Sequence, residues 1–170
     1  MSLVEKRPAA PAPLSREARA ASYEAVFRHR YPLYQYHAVE FLCEHLAHCS
    51  RVFGGDLQQM LILAVMGQVH LRSYLDMAPD GTMHPRELPL HPAITASRLA
   101  DVTGIPRETV RRKLALLERR GWIEQDEGGS WRLVLADGVA VARSGLDALD
   151  QAAMGRYARL LAGLERLTAG

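Results

Sequence analysis

Cysteine is scarce in this 170-residue chain, and so are lysine and the aromatics: two Cys, two Lys among 21 basic residues, and 6% Phe, Trp and Tyr. Cys43 and Cys49 lie six residues apart in what reads as one helix. That places them about 9 Å apart along its axis, beyond disulfide reach. With no CxxC or paired-ligand spacing they read as reduced thiols. The longest apolar run, residues 60–67, falls far short of the roughly 20 residues that span a bilayer. No basic-then-apolar leader opens the chain, which predicts a cytoplasmic protein without membrane association. Missing too are the G-x-S-x-G elbow, a phosphate-cradling glycine loop and H-E-x-x-H, so no enzyme is expected. The skew of the basic residues toward Arg is compositional and carries no functional weight.

What is present is 48% apolar and 24% charged, a mix able to bury a core. The net charge of +2 is unevenly spread. Residues 95–120 hold seven basic side chains (Arg98, Arg107, Arg111, Arg112, Lys113, Arg119, Arg120) against Asp101, Glu108 and Glu118, and the remainder holds 14 against 16. One short window therefore carries the positive field.

Along the chain, residues 1–14, with Pro8, Pro11 and Pro13, predict a disordered tail. Ser15 opens a helical region over 15–78. Tyr23, Phe27 and Tyr31 share a face, and Pro32 breaks or kinks the first helix. A second helix over about 34–53 places Val39, Leu42, Leu46 and Phe53 inward and ends at Gly54-Gly55. Asp56, with Gln59 three residues on, caps a third over 57–77, apolar on most of its surface and therefore expected to be buried all round. Asp80-Gly81 is a turn within a Pro-rich linker over 79–92. The last segment, 137–170, is expected to be a helix with Leu146, Leu149, Ala153, Tyr157, Leu160, Leu164 and Leu167 in a heptad-like stripe. That stripe suits either packing on its own core or a homodimer interface.

Residues 93–136 are more specific. Thr95 can cap a helix over 96–102, Gly104 can take positive φ in the turn Thr103 to Pro106, and Arg107 opens a second helix to about Arg120. Ala100 lets the two helices cross closely above Val110, the packing pattern of a helix-turn-helix. Gly121 ends the second helix, and Ile123–Gln125 and Trp131–Leu135 read as strands around the tip 126–130. Helix, turn, helix and hairpin make a winged helix. The fold class expected is mainly α: a winged helix-turn-helix with a small β-hairpin wing, flanked by N-terminal helices and a C-terminal helix.

The stretch LADVTGIPRETVRRKLALLERRGWI resembles the DNA-binding domain of Crp/Fnr-type transcription regulators and, more loosely, MarR and GntR winged helices. The overall layout is similar to MarR-like dimers. The resemblance covers about 40 residues and implies base-edge contacts from Arg107, Glu108 and Arg112, the positions matching that motif's Arg-Glu pair and the Arg one turn later. Pro106 stands where that family usually has a helix-capping Ser. Nothing upstream resembles the family's glycine-rich cyclic-nucleotide β-roll, so no cofactor is expected.

Helix geometry divides this helix into an apolar and a charged side. At about 100° per residue, with Val110 at zero, Leu114 and Leu117 fall within about 40° of it, whereas Glu108, Arg112 and Arg119 fall at about 160–200°. A Glu108–Arg112 pair could serve the helix alone. Equally, Arg suits guanine O6/N7 and Glu accepts from cytosine N4. Thr95, Arg111, Lys113 and Arg119, with Arg132 on the wing, are candidate phosphate contacts.

Cys43, Glu44, His45, His48 and Cys49 cluster on one helix, with His45 and Cys49 at i, i+4, but their spacing suits a surface turn and no metal is expected. The N-terminal aromatics are a candidate effector pocket as well as candidate core. The function predicted is a homodimeric, sequence-specific transcription regulator that reads a pseudo-palindrome in double-stranded DNA through helix 107–120. The alternative is a winged-helix protein-interaction module without DNA binding.

Overall fold

A computed structural model describes residues 15–77 and 92–168. The tail expected over 1–14 and the linker up to residue 91 lie outside these. Six helices occur among the described residues: α1 (Arg16–His29), α2 (Tyr31–Val52), α3 (Leu57–Met77), α4 (Ala96–Thr103), α5 (Arg107–Arg119) and α6 (Ala142–Thr168). The strands are β1 (Ile123–Gln125), β2 (Trp131–Leu133), β3 (Leu135–Ala136) and β4 (Val139–Ala140). Two compact units result, divided after Phe41 and after Arg156. No single helix among the described residues is long and apolar enough to cross a membrane.

The first unit holds α1, the start of α2 and the end of α6. Ser15 caps α1 by accepting from the Ala18 amide at 3.1 Å. Pro32 sits in the first turn of α2, where no helical amide bond is lost, and the chain bends at Arg30. α1 buries no residue. Its Phe27 instead stacks on Tyr34 of α2 at 4.9 Å and on its own Tyr23 at 6.4 Å.

The second unit carries the main core. Ile62, Leu63 and Met66 of α3, Leu99 of α4, and Val110, Leu114 and Leu117 of α5 meet Ile123, Leu133 and Leu149 there. α5 lies against α3, α4 and β1, as its three-residue and four-residue apolar steps require. β1 and β2 pair antiparallel with Ile123 opposite Leu133, Glu124 opposite Arg132 and Gln125 opposite Trp131. Ile94 bridges Trp131 on the far side through two amide bonds of 2.8 and 2.9 Å. The sheet is thereby tied to the residue that precedes the α4 cap.

Three expectations need correction. The helix expected over 137–170 starts at Ala142, because Leu135–Ala136 and Val139–Ala140 form a second hairpin. Asp137 (φ 52°) and Gly138 (φ 78°) make its turn, and Asp-Gly between short apolar runs is a strong hairpin signal. Val39, Leu42 and Leu46 of α2 face solvent, and only Phe53 of that set is buried. On α3, Ile62, Leu63 and Met66 are buried, but Leu57, Leu61, Leu71 and Leu75 are exposed. Periodicity counted the apolar residues on these helices correctly but not how many of their faces the described residues cover.

Gly104 ends α4 at φ 69° with open space where a side chain would stand. Gly104→Ala therefore meets no atom and suffers only the left-handed backbone cost, an expected loss of about 1 kcal/mol. Gly104→Asn should lose less, and urea denaturation of both checks the order.

Candidate nucleic-acid interface

α4 and α5 are oriented by short-range chemistry. Thr95 Oγ1 accepts from the Arg98 amide at 3.1 Å, and the Gly104 amide closes α4 on the Ala100 carbonyl. Thr103 Oγ1 donates back to the Leu99 carbonyl at 2.6 Å and accepts from the Ile105 amide at 3.3 Å, so one hydroxyl shapes the turn. α5 starts after Pro106 with no side-chain cap. Its first amides are thus left for another acceptor.

The apolar side of α5 is fully withdrawn, with Val110, Leu114 and Leu117 at 0% exposure. Its opposite side is the basic one. Arg107, Glu108, Arg111, Arg112 and Arg119 are exposed. Glu108 pairs with Arg111 at 2.8 Å, three residues on, and not with Arg112. Arg112 makes no hydrogen bond or ion pair among the described residues, although its charge acts on Asp56. Its guanidinium therefore projects from the helix face opposite the core.

Thr95, Arg107 and Arg111 come together in one cleft of about 340 Å³, between the starts of α4 and α5 and the wing. Ser97, Gln125 and Trp131 also line it, with Ala96 and Gly129. Sequence reasoning missed Ser97 and Gln125, since neither carries charge and Gln125 arrives only through the β1–β2 register. Arg132 stands on β2 opposite Glu124 and pairs with it at 2.8 Å. Arg119 lies at the far end of α5, about 18 Å from Arg107 along the axis. The tip of the wing is closed on itself, with the Ser130 amide on Asp126 Oδ1 at 2.8 Å.

Lys113 is placed differently from its neighbours. Its ammonium meets Asp56 Oδ2 at 2.6 Å with both side chains largely withdrawn from solvent. Asp56 also accepts the Gln59 amide at 3.0 Å through Oδ1, as the cap of α3. Burial alone would raise its pKa. That is the largest single influence, but the Lys113 hydrogen bond, the Gln59 amide and the charges of Lys113 and Arg112 together outweigh it and hold the carboxyl below its ordinary value of 3.8.

The histidine–cysteine group on α2 is organised around a cation. Arg156 donates to His48 Nδ1 at 3.0 Å, and His45 Nε2 lies 3.6 Å from Cys49 Sγ. Burial, then the Arg156 charge, then His48, lower the His45 pKa, and burial pushes the Cys49 thiol up. Among the described residues no three His, Cys, Asp or Glu converge as metal ligands.

Residues 70–140 match the family model described as the Crp-like helix-turn-helix domain. No curated protein and no solved structure matches the chain.

Proposed function

Since residues 70–140 carry a Crp-like helix-turn-helix domain, a DNA-binding domain in winged form, we propose that the chain is a cytoplasmic, homodimeric transcription regulator that reads a pseudo-palindromic operator. The observation that carries this reading is the two-sidedness of α5: three core residues at 0% exposure back a face of unburied Arg. Arg107, Glu108 and Arg112 read base edges from that face. Thr95, Arg111, Arg119 and Arg132 meet phosphates. The cleft suits a phosphate well, since a hydroxyl, two guanidinium groups and the start of a helix converge on it.

Dimerisation draws its support from apolar rows left open among the described residues. On α3, Leu57, Leu61, Leu71 and Leu75 are exposed, and Ala64 and Gln68 complete a strict alternation of four-residue and three-residue steps, the spacing of a coiled-coil seam. The row at the start of α6 points inward, with Leu149 buried and Leu146 packed against the core. Met154 and Leu161 remain exposed on that helix.

The deciding experiment selects duplexes from a random library and titrates salt on the winner. An inverted repeat with half-sites about 34 Å apart, and log affinity falling steeply with log salt, is the expected result. Absence of binding at low salt would favour the protein-interaction module, and a monomer by light scattering at micromolar concentration would remove the dimer.

A further inference from the structure

We infer that the corner between α2 and α3, Phe53 to Asp56, is the positioning element of the reading helix, so that Lys113 and Arg120, two cations of the basic window, hold α5 in place instead of contacting DNA. The inference rests on the DNA-reading proposal above.

Two independent grips carry it. The first is the ion pair of Lys113 with Asp56, 57 residues apart in sequence. Its side chains are 15% and 21% exposed, whereas the Arg111 side chain in the surface pair with Glu108 is 54% exposed. A pair so shielded is screened little by salt, and its ammonium is already neutralised. The two oxygens of Asp56 serve different helices, since Oδ1 closes the first turn of α3 and Oδ2 holds the middle of α5.

The second grip is at the end of α5. The Arg120 guanidinium lies 5.8 Å from the Phe53 ring centroid and 5.0 Å from that of Trp122. The two rings meet edge to face at 6.2 Å, and Phe53 is only 3% exposed. Behind them Gly145 admits the indole, since a Cβ there would stand 3.0 Å from Trp122 Cζ2.

The corner itself is stiffly built. Gly54 and Gly55 take φ of 60° and 86°, the Gly55 amide donates to the Ser50 carbonyl at 2.7 Å, and the Asp56 amide donates to the Phe53 carbonyl at 3.1 Å. Lys113 and Arg120 are seven residues apart, two turns of one helix face. Holding both fixes the rotation of α5 about its axis, on which the aim of Arg107 and Arg112 depends.

The test uses the full chain as wild type, Asp56→Asn, Lys113→Met and the double variant, each titrated against the selected operator and a scrambled duplex. Asparagine caps a helix as well as aspartate does, so Asp56→Asn removes the charge and leaves α3 closed. Each single variant should lose about threefold to tenfold in operator binding relative to the scrambled duplex. The salt slope should not change, and the double variant should be no worse than the poorer single. Lys113→Arg should restore much of the loss. Arg120→Lys, which keeps the charge and loses the planar stack, should lose discrimination as well. The inference is overturned if Lys113→Met weakens both duplexes equally and lowers the salt slope by about 1, the mark of a phosphate contact, while Asp56→Asn frees the ammonium and tightens both. Should the wild type select no operator, the DNA reading fails by itself. Melting temperatures of the same four proteins then decide: coupled shifts support the grip and additive shifts overturn it.

Discussion

Arg112→Glu is expected to abolish operator binding while leaving the fold intact. The side chain stands on the exposed side of α5, opposite Val110, Leu114 and Leu117, and makes no hydrogen bond or ion pair among the described residues. Removing it should change stability by no more than about 0.5 kcal/mol. On DNA the effect is large. A bidentate arginine on guanine discriminates by roughly 1–3 kcal/mol, so Arg112→Ala should weaken the operator complex about 5-fold to 150-fold. The glutamate adds repulsion from every nearby phosphate, and binding should fall below detection at physiological salt. Fluorescence anisotropy with the selected duplex measures the loss, and circular dichroism checks that the helices remain. Wild-type affinity in the glutamate variant would remove Arg112 from the reading face. Glu108 offers an internal comparison, because it already holds Arg111 at 2.8 Å. Glu108→Gln should shift base preference more than total affinity.

The largest loss of stability is expected from Leu114→Ala. Leu114 is 0% exposed, on the side of α5 that meets α3, α4 and β1. Truncating a buried leucine costs about 2–5 kcal/mol through lost transfer energy and the cavity left behind, out of a total that for most domains is about 5–15 kcal/mol. The melting temperature should fall by roughly 4–20 °C. Leu114→Met, which conserves volume, should cost less than about 1.5 kcal/mol. Val102→Ala, at a position 53% exposed, should barely register. A thermal melt of the three variants tests the order. Equal melting temperatures would mean that α5 is not anchored through this residue. Because Leu114 lies one turn beyond Val110, the same variant should also loosen DNA reading, which separates it from Arg112→Glu by its melt.

The residues that were legible in the sequence are those whose partners are close in the chain. Ser15, Asp56 and Thr95 each cap a helix through an amide three residues on. Gly104 takes the positive φ that its place between two helices requires. The buried side of α5 follows from a period of about 3.6 residues. What could not be read depends on distant partners. Lys113 looks like any other cation of its window until the fold brings Asp56 to it from 57 residues away. Glu108 had two arginines within reach, and spacing alone does not choose between three and four residues. Gln125 joins the cleft only because β1 and β2 pair in one register. The second hairpin is another kind of miss. Its Asp137-Gly138 signal was present, but the apolar steps that continue into α6 masked it. The open rows on α2 and α3 show the limit of periodicity, which finds an apolar face but not its cover.

The two tryptophans occupy different stations of this unit, which gives the protein a built-in optical readout. Trp131 lines the cleft beside Arg107 and Arg111, whereas Trp122 is held among Phe53, Arg120 and Gly145. An occupant of the cleft changes the polarity around the first indole, and a shift of the corner changes the second. Since the chain has no other tryptophan, Trp122→Phe leaves emission from the cleft alone and Trp131→Phe leaves emission from the corner alone. Stopped-flow traces of the two variants would then time the arrival of DNA and the response of the helix mount separately, without any attached dye.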